Sequence, residues 1–436
     1  MRLSQPKWVV TTILLCTYGF LKEFRPTEPF LYQYEHETLN ISEHTLNADV
    51  YPIWTYSYML SLIPVFLLTD LLLYKSLIVI EALAYIVVWC LLTFAGSVLA
   101  QQILEVFYGI ATATEIAYFA YIYVNVSKDK FKRVTSYTRG ALLLGRFLGY
   151  SLAQMIILMK WGTYETLNII SLVALCIGLI FAIILPSVSW KNAYEKKLIS
   201  IGTKIEETSA ASATYKDFAK LHFKTIIGDI RTIYGNTSMM KWSLWWALTS
   251  CAFYQIGNYT QTLWGTIIDV NNSEVYNGVT EALCPLIGLP IVFLVQYIRI
   301  DWSRWGELCL AICSLLDAFI LLLLSQTGSL LVMYIGYVAY RVLYQAMMTI
   351  TQFNLADGME VASYGLVFGL NTFVALVLQS ILTFVVASSG GLALSIRPQF
   401  EVYSGYHFVV AAIFIVSPLY KISGYIVRKF QNWKKT

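Results

Sequence analysis

Charged side chains are scarce in this chain. Of its 436 residues only 13% are Asp, Glu, Lys or Arg, whereas 58% are hydrophobic, a balance that soluble domains do not have. The net charge of +4 is small and the basic residues cluster in a few loops, so the charge indicates membrane topology and not nucleic-acid binding. The composition predicts an all-α membrane protein.

Residues that hold metals or perform catalysis are also few. The seven cysteines fall in apolar segments without a C-x-x-C pair, which argues against a disulfide framework or a zinc site. The four histidines (His36, His44, His222 and His407) are scattered, and neither H-E-x-x-H nor G-x-S-x-G occurs. A multi-pass membrane enzyme would need such a group. We therefore expect no catalytic activity, no cofactor and no metal.

Long apolar runs, by contrast, fill most of the chain, and each is long enough to cross a bilayer at about 20 residues. They lie near 8–24, 51–73, 76–99, 102–126, 134–159, 165–186, 242–267, 275–299, 302–326, 328–353, 361–387 and 400–427. The count predicts twelve spanning helices in two six-helix halves. That is the arrangement of the major facilitator superfamily, in which the substrate cavity lies between the halves near the bilayer midplane.

The same pattern predicts the organisation of the chain. We expect a first half at 1–187, a cytoplasmic linker with an amphipathic helix at 188–241, a second half at 242–427 and a tail at 428–436. The first part of the linker equally fits a solvated tether. Basic residues before the first span, between the fourth and fifth, in the linker and in the tail place both termini in the cytoplasm. Glycosylation sequons at Asn40 and Asn271 then fall outside, as expected of a plasma-membrane glycoprotein.

One acid interrupts the fourth apolar segment. Glu115 lies in the run I-A-T-A-T-E-I-A-Y-F-A-Y-I-Y (110–123), and a carboxylate within the bilayer is costly unless it faces a cavity or a partner. Tyr118 and Phe119 follow three and four residues later, on the same side of the helix. A carboxylate beside aromatic rings suits a flat organic cation. The alternative is that Glu115 pairs with a basic residue of another helix and only stabilises the bundle.

Two further candidates lie near the outer ends of the first two spans. Glu28 follows Arg25-Pro26, where the helix is expected to break and line a cavity, although Glu28 and Arg25 also fit a simple ion pair. Trp54 belongs to an aromatic cluster (Y-P-I-W-T-Y-S-Y, 51–58). That cluster fits either an interfacial belt or a surface on which a flat substrate stacks.

The second half contains its own polar groups within apolar segments. Asn258 lies in a seventh span rich in hydrogen-bonding side chains, Glu281 in the eighth, Arg341 in the tenth and Gln379 in the eleventh. Buried donors and acceptors need partners, so these residues predict a polar wall. Arg146 of the fifth span is a candidate internal partner for an acid, whereas we assign Arg139 to gating or to lipid headgroups.

Several motifs in order along the chain resemble the folate and thiamine carriers of the major facilitator superfamily. They are R-P-T-E-P-F (25–30), P-I-W-T-Y-S-Y (52–58), P-V-F-L-L-T-D (64–70), E-I-A-Y-F-A-Y-I-Y (115–123), R-V-T-S-Y-T-R (133–139), W-S-L-W-W (242–246), V-Y-N-G (275–278) and L-V-F-G-L-N-T-F (366–373). The resemblance covers almost every span. It implies a secondary transporter that acts as a monomer on a small molecule.

The resemblance also implies a substrate branch. Reduced folate carriers look to have basic residues where this chain has Glu115 and Gln379, whereas thiamine transporters carry the acid and the glutamine. It further implies that Glu28, Trp54, Tyr118, Asn258 and Glu281 line the site in the thiamine branch. Thiamine is a fixed cation, so Glu115 could offset its charge, and a carboxylate could exchange a proton for it. A folate or pyridoxine carrier of the same family is the alternative.

Overall fold

The computed structural model describes residues 7–42, 45–200, 214–267, 277–295, 297, 300, 302–359, 364–386, 391–392 and 394–433, and within these residues every long element is an α-helix. We number the twelve long helices outside the linker α1–α12. They are α1 (Lys7–Glu23), α2 (Tyr51–Leu68), α3 (Lys75–Phe94), α4 (Val98–Asn125), α5 (Phe131–Leu158), α6 (Tyr164–Ile184), α7 (Thr237–Gly265), α8 (Asn277–Val295), α9 (Trp302–Gln326), α10 (Leu330–Gly358), α11 (Tyr364–Val386) and α12 (Ile396–Trp433).

These helices match the predicted spans in number and order, with ends that differ by a few residues. α2 ends at Leu68, five residues before the predicted end, because Leu73 and Tyr74 have positive φ angles of 58° and 64° and turn the chain into α3. Within the described residues, nine helices are long and apolar enough to cross a membrane, and α2 contains a shorter apolar stretch. The chain is therefore a multi-pass membrane protein. The predicted sequon at Asn271 and the linker residues 201–213 lie outside the described residues.

Packing follows one pattern in both halves of the chain. α3 packs on α6 and α2 on α4 in the first half, as α9 packs on α12 and α8 on α10 in the second. Between the halves, α2 packs on α11 and α5 on α8. When each helix is replaced by the one at the same position in the other half, each contact becomes another of these contacts; α2 on α11, for example, becomes α8 on α5. This is the pattern of two repeats related by an approximate two-fold axis.

Successive helices run in opposite directions, so α1 begins and α12 ends on one side of the bundle, which we call the terminal side. Here the halves meet closely. A Cβ added at Gly365 of α11 would lie 2.5 Å from Cγ2 of Thr69, the residue after α2, and one at Gly369 would lie 2.0 Å from Phe66 Cβ. Only glycine allows this approach of α11 to α2. The terminal side is therefore closed along this helix pair.

A linker helix (Tyr215–Gly235) lies against the terminal side. It begins with a capping box, in which the Thr214 backbone N–H donates to Asp217 Oδ2 over 2.9 Å; this bonding from Thr214 lowers the pKa of the exposed Asp217. The helix touches both halves. Tyr215 donates its hydroxyl to the Leu71 carbonyl near the end of α2, and Tyr234 donates to Asn371 Oδ1 of α11 over 2.7 Å.

Candidate substrate-binding cavity

A cavity of about 410 Å³ lies between the two halves, within the size range of small-molecule sites. Its first-half wall comes from α1 to α5 and from the segment after α1, and its second-half wall from α7, α10 and α11. Five of the eight sequence-predicted site residues lie in these walls. They are Glu28, Trp54, Glu115, Asn258 and Arg341.

Aromatic rings form much of the cavity surface and continue from one half to the other. The Trp54 and Tyr58 ring centroids are 5.7 Å apart, and Tyr58 meets Tyr254 of α7 edge to face at 6.4 Å. On the opposite wall Phe253 stacks on Tyr344 at 3.8 Å. Such surfaces suit a flat ring system, since stacking removes ring faces from water without demanding particular hydrogen bonds.

Glu115 faces the cavity and is paired from behind. Its Oε1 lies 3.0 Å from the Lys22 ammonium of α1, which is also 2.6 Å from Glu81 Oε1 of α3. Lys22 and Glu81 are fully buried, whereas the Glu115 side chain is 25% exposed. The alternative that Glu115 pairs with a basic residue is therefore realised, yet the carboxylate still borders open space. Neither Arg146 nor Arg341 is its partner.

A second charged network surrounds the end of α1. α1 ends at Glu23, and Arg25 then bonds both Glu23, at 3.0 Å, and Glu28, at 3.1 Å. Arg146 of α5 pairs with the same Glu23 oxygen that Arg25 bonds. Glu28 also accepts hydrogen bonds from the hydroxyls of Tyr108, at 2.9 Å, and of Tyr150 on α5. Two guanidinium groups and two carboxylates balance here, so this network adds no net charge to the cavity.

Arg341 brings positive charge from the second half. Its guanidinium carbon lies 4.7 Å from the Phe253 ring centroid, a cation–π arrangement, and Nη2 is 3.9 Å from Glu281 Oε2. Glu281 accepts a hydrogen bond from Tyr337 over 2.8 Å and is placed behind Arg341, outside the cavity lining. From this position Glu281 contacts Arg341 and does not border the cavity.

Two other predicted residues are also placed away from the cavity. Tyr118 is completely buried; its hydroxyl donates to the Thr138 carbonyl over 3.1 Å and its ring lies beneath the Lys22 ammonium at 4.6 Å. Gln379 is buried in α11, where its Oε1 has no hydrogen-bond partner within the described part of the chain. Phe119, one residue beyond Tyr118, is the aromatic neighbour of Glu115 that lines the cavity.

Sequence reasoning missed Lys22 and Glu81 and gave Arg139 a different place. Glu81 is an acid embedded in an apolar segment, the same signal that identified Glu115. Arg139 lines the cavity, lies 4.9 Å from the Phe119 ring and donates Nε to Gln352 of α10 over 2.6 Å. This bond crosses between the halves, and the assignment of Arg139 to gating or to lipid headgroups stays a prediction.

Comparisons with known proteins identify the same family as the sequence motifs. The family model described as reduced folate carrier matches residues 6–402. Folate-like transporter 3 of Caenorhabditis elegans is 53% identical over 409 residues, covering 94% of this chain and 95% of that protein. Thiamine transporter 1 of Homo sapiens is 37% identical over 456 residues, covering 95% of this chain and 90% of that protein.

A solved structure supports the fold. The major facilitator superfamily proton:xylose symporter XylE superposes with a TM-score of 0.62 over 93% of this chain and 94% of that chain, at 13% sequence identity. The twelve-helix fold with two six-helix halves is thus that of the superfamily. The match along nearly the whole chain shows that this protein belongs to the reduced folate carrier family of membrane transporters, which includes folate-like and thiamine transporters.

Proposed function

We propose that this protein imports the organic cation thiamine by alternating access, in exchange for protons. The observation that carries the proposal is the pairing of Glu115. One ammonium, Lys22, serves two carboxylates, Glu81 and Glu115, so the group retains a formal charge of −1 on the wall where Glu115 is exposed. A cation that enters a low-dielectric cavity is attracted to such a charge more strongly than it would be in water.

The rings around this carboxylate support a flat substrate. Trp54 of α2 and Phe119 of α4 border the cavity on the first-half side, and Tyr254 and Phe253 of α7 border it on the other. An aromatic cation can stack between such faces while Glu115 offsets its charge. Asn258, exposed on α7, adds an amide that can bond ring nitrogens or an amino group.

Exchange with protons rests on the exposed carboxylates. In the proposed exchange, thiamine and a proton occupy the Glu115 site in alternation, because two cations compete for one carboxylate. Glu28, which also lines the cavity, can act in the same way. Return of the empty carrier with a proton would then balance inward movement of the cation.

A folate is the second candidate, and one feature of the cavity favours it. Arg139 lines the cavity with Gln352, not a carboxylate, as its side-chain partner among the described residues, so its charge is available to an anionic substrate group. Relatives named as folate-like transporters match the chain at 53% and 52% identity. Glu115 opposes this assignment, because a dianionic ligand would be repelled by the net negative group beside it.

We propose a monomer in the plasma membrane with both termini and the linker helix in the cytoplasm, because the Lys- and Arg-rich loops lie on the terminal side. The halves at 1–187 and 242–427 then move relative to each other around the cavity. Closure of α11 on α2 at the terminal side corresponds to a state closed toward the cytoplasm.

Transport by the purified protein in liposomes tests the proposal. We expect uptake of labelled thiamine that saturates, that is accelerated by an acidic interior and that excess folate inhibits only weakly. Uptake of labelled folate that excess thiamine fails to inhibit would overturn the thiamine assignment. Thiamine uptake that does not respond to an imposed pH gradient would remove proton exchange while leaving the substrate assignment intact.

A further inference from the structure

The ammonium of Lys22 joins three helices behind the cavity. It lies 2.6 Å from Glu81 Oε1 of α3 and 3.0 Å from Glu115 Oε1 of α4, and its own side chain is 1% exposed. A buried ammonium without a counter-ion would be strongly destabilising. The two carboxylates therefore explain why Lys22 can be held at this depth, and one of them would suffice.

The two carboxylates differ in how firmly they are held. Glu81 is completely buried, and its second oxygen, Oε2, accepts a hydrogen bond from the buried Tyr18 hydroxyl over 2.8 Å. Glu115 is 25% exposed and borders the cavity. Because charge-assisted bonds strengthen as they shorten and lose water, Lys22 is bound more tightly to Glu81 than to Glu115. Glu115 is the partner that can exchange.

We infer that Glu81 is a specificity-determining residue: it retains the Lys22 ammonium, so that Glu115 is left free to bind a cationic substrate. Lys22 acts as a tethered cation that occupies Glu115 in the empty carrier and yields to the substrate. This inference rests on the proposed function, since it assigns the charge preference of the same site. Glu81 touches no substrate and acts through Lys22, so it is a positioning residue.

The formal charge of this group depends on which of its three side chains are present. With Lys22, Glu81 and Glu115 present, the group has a formal charge of −1. Without the Glu81 carboxylate, Lys22 neutralises Glu115 and the charge becomes 0. Without both Lys22 and the Glu81 carboxylate, Glu115 stands alone and the charge is again −1. A group with charge −1 should bind a cation more tightly, and an anion more weakly, than a group with charge 0.

Binding of thiamine and of folate to the purified full-length carrier tests this count. The variants are Glu81→Gln, Lys22→Met and the double variant Lys22→Met/Glu81→Gln. Glu307→Gln is the control, because it also removes the carboxylate of an interhelical ion pair, with Lys241, away from the cavity. We expect Glu81→Gln to weaken thiamine binding by about tenfold or more, as one unit charge at this range implies. The double variant should recover most of that loss, and Lys22→Met should bind thiamine at least as well as the parent.

Folate separates this inference from the substrate assignment. Glu81→Gln should bind folate more tightly than the parent, the opposite direction to thiamine, and a packing defect would not move the two ligands apart. If the parent binds folate and not thiamine, the proposed function fails, and the folate shift alone still tests the role of Glu81. Equal affinities of the parent and Glu81→Gln for both ligands, or a double variant no better than Glu81→Gln, would overturn the inference. Should Glu81→Gln fail to fold, two other variants still test the inference. Glu81→Asp keeps the charge and must keep the thiamine affinity of the parent, and Lys22→Met must also bind thiamine no more weakly than the parent.

Discussion

Arg139 of α5 donates Nε to Oε1 of Gln352 of α10 over 2.6 Å, and this hydrogen bond joins the two halves on the terminal side of the cavity. Both side chains are buried. Alternating access requires such contacts to break when the terminal side opens. Under the proposed mechanism, the bond is therefore one of the interactions that set how readily the carrier changes state.

Gln352→Leu should favour opening of the terminal side, because it removes the acceptor of a buried, charged donor at a cost of about 1–3 kcal/mol. A cysteine introduced at the buried Thr69 should then react faster with an impermeant maleimide added on the terminal side. Gln352→Glu is the matched variant, since it gives Arg139 a carboxylate partner and should slow the reaction. Equal rates of maleimide reaction with Gln352, Gln352→Leu and Gln352→Glu would show that this hydrogen bond does not hold the halves together.

Gly369→Ala should abolish transport with substrate binding retained. The added Cβ would lie 2.0 Å from Phe66 Cβ, which prevents α11 from closing on α2. Gly288→Ala is the control in another helix between the halves, because its Cβ would meet Leu143 Cδ1 at an ordinary 3.6 Å. Uptake and equilibrium binding of thiamine measure the two effects, and normal uptake by Gly369→Ala would contradict the closure described here.

Trp54→Ala should raise the thiamine KM by about tenfold through loss of ring contact, with a smaller rise for Trp54→Phe. Trp54 lines the cavity, where its Nε1 donates to Thr112 Oγ1 over 3.2 Å. Tyr56→Ala is the control, because Tyr56 lies on the same helix but is 59% exposed and turned away from the cavity. Equal KM values for Trp54→Ala and Tyr56→Ala would exclude stacking on Trp54.

Glu35 lies between α1 and α2, outside the spanning helices, and makes the stability of the fold depend on pH. Burial raises its pKa to about 7, although the Tyr51 hydroxyl donates to it over 2.6 Å. The folded protein thus holds the proton of the Glu35 carboxyl more tightly than the unfolded chain does. The stabilisation from this proton is complete below the usual pKa of a glutamate and is lost as pH rises through about 7. We expect thermal unfolding at a higher temperature at pH 5 than at pH 8. Glu35→Gln should flatten this difference, and an unchanged pH profile would contradict the assignment.

The sequence predicted the helices well because twelve apolar runs separated by polar turns leave few alternatives in a bilayer. It also identified Glu115 as a candidate site residue, because an acid within a spanning helix is costly unless it faces a cavity or a partner. Tyr118 shows the limit of this reasoning. A spacing of three residues places it on the same face as Glu115, but Lys22 and Gly19 of α1 cover that part of the face, so Phe119 reaches the cavity instead.

Lys22 could not be predicted as the partner of Glu115. The two residues are 93 positions apart, and helical periodicity says which side of α1 Lys22 occupies without saying which helix packs there. Gln379 and Glu281 illustrate the same point, because each lies in the expected helix but behind the cavity wall. Tertiary packing decides which polar groups of a helix face open space and which are paired within the bundle.

The most direct measurement is the affinity of purified carrier for thiamine with Glu115 intact and with Glu115→Gln. If the exposed carboxylate draws the cation into the cavity, the substitution leaves Lys22 with Glu81 alone, and thiamine affinity should fall by about tenfold or more while folate affinity does not fall. Unchanged thiamine binding by Glu115→Gln would contradict the account.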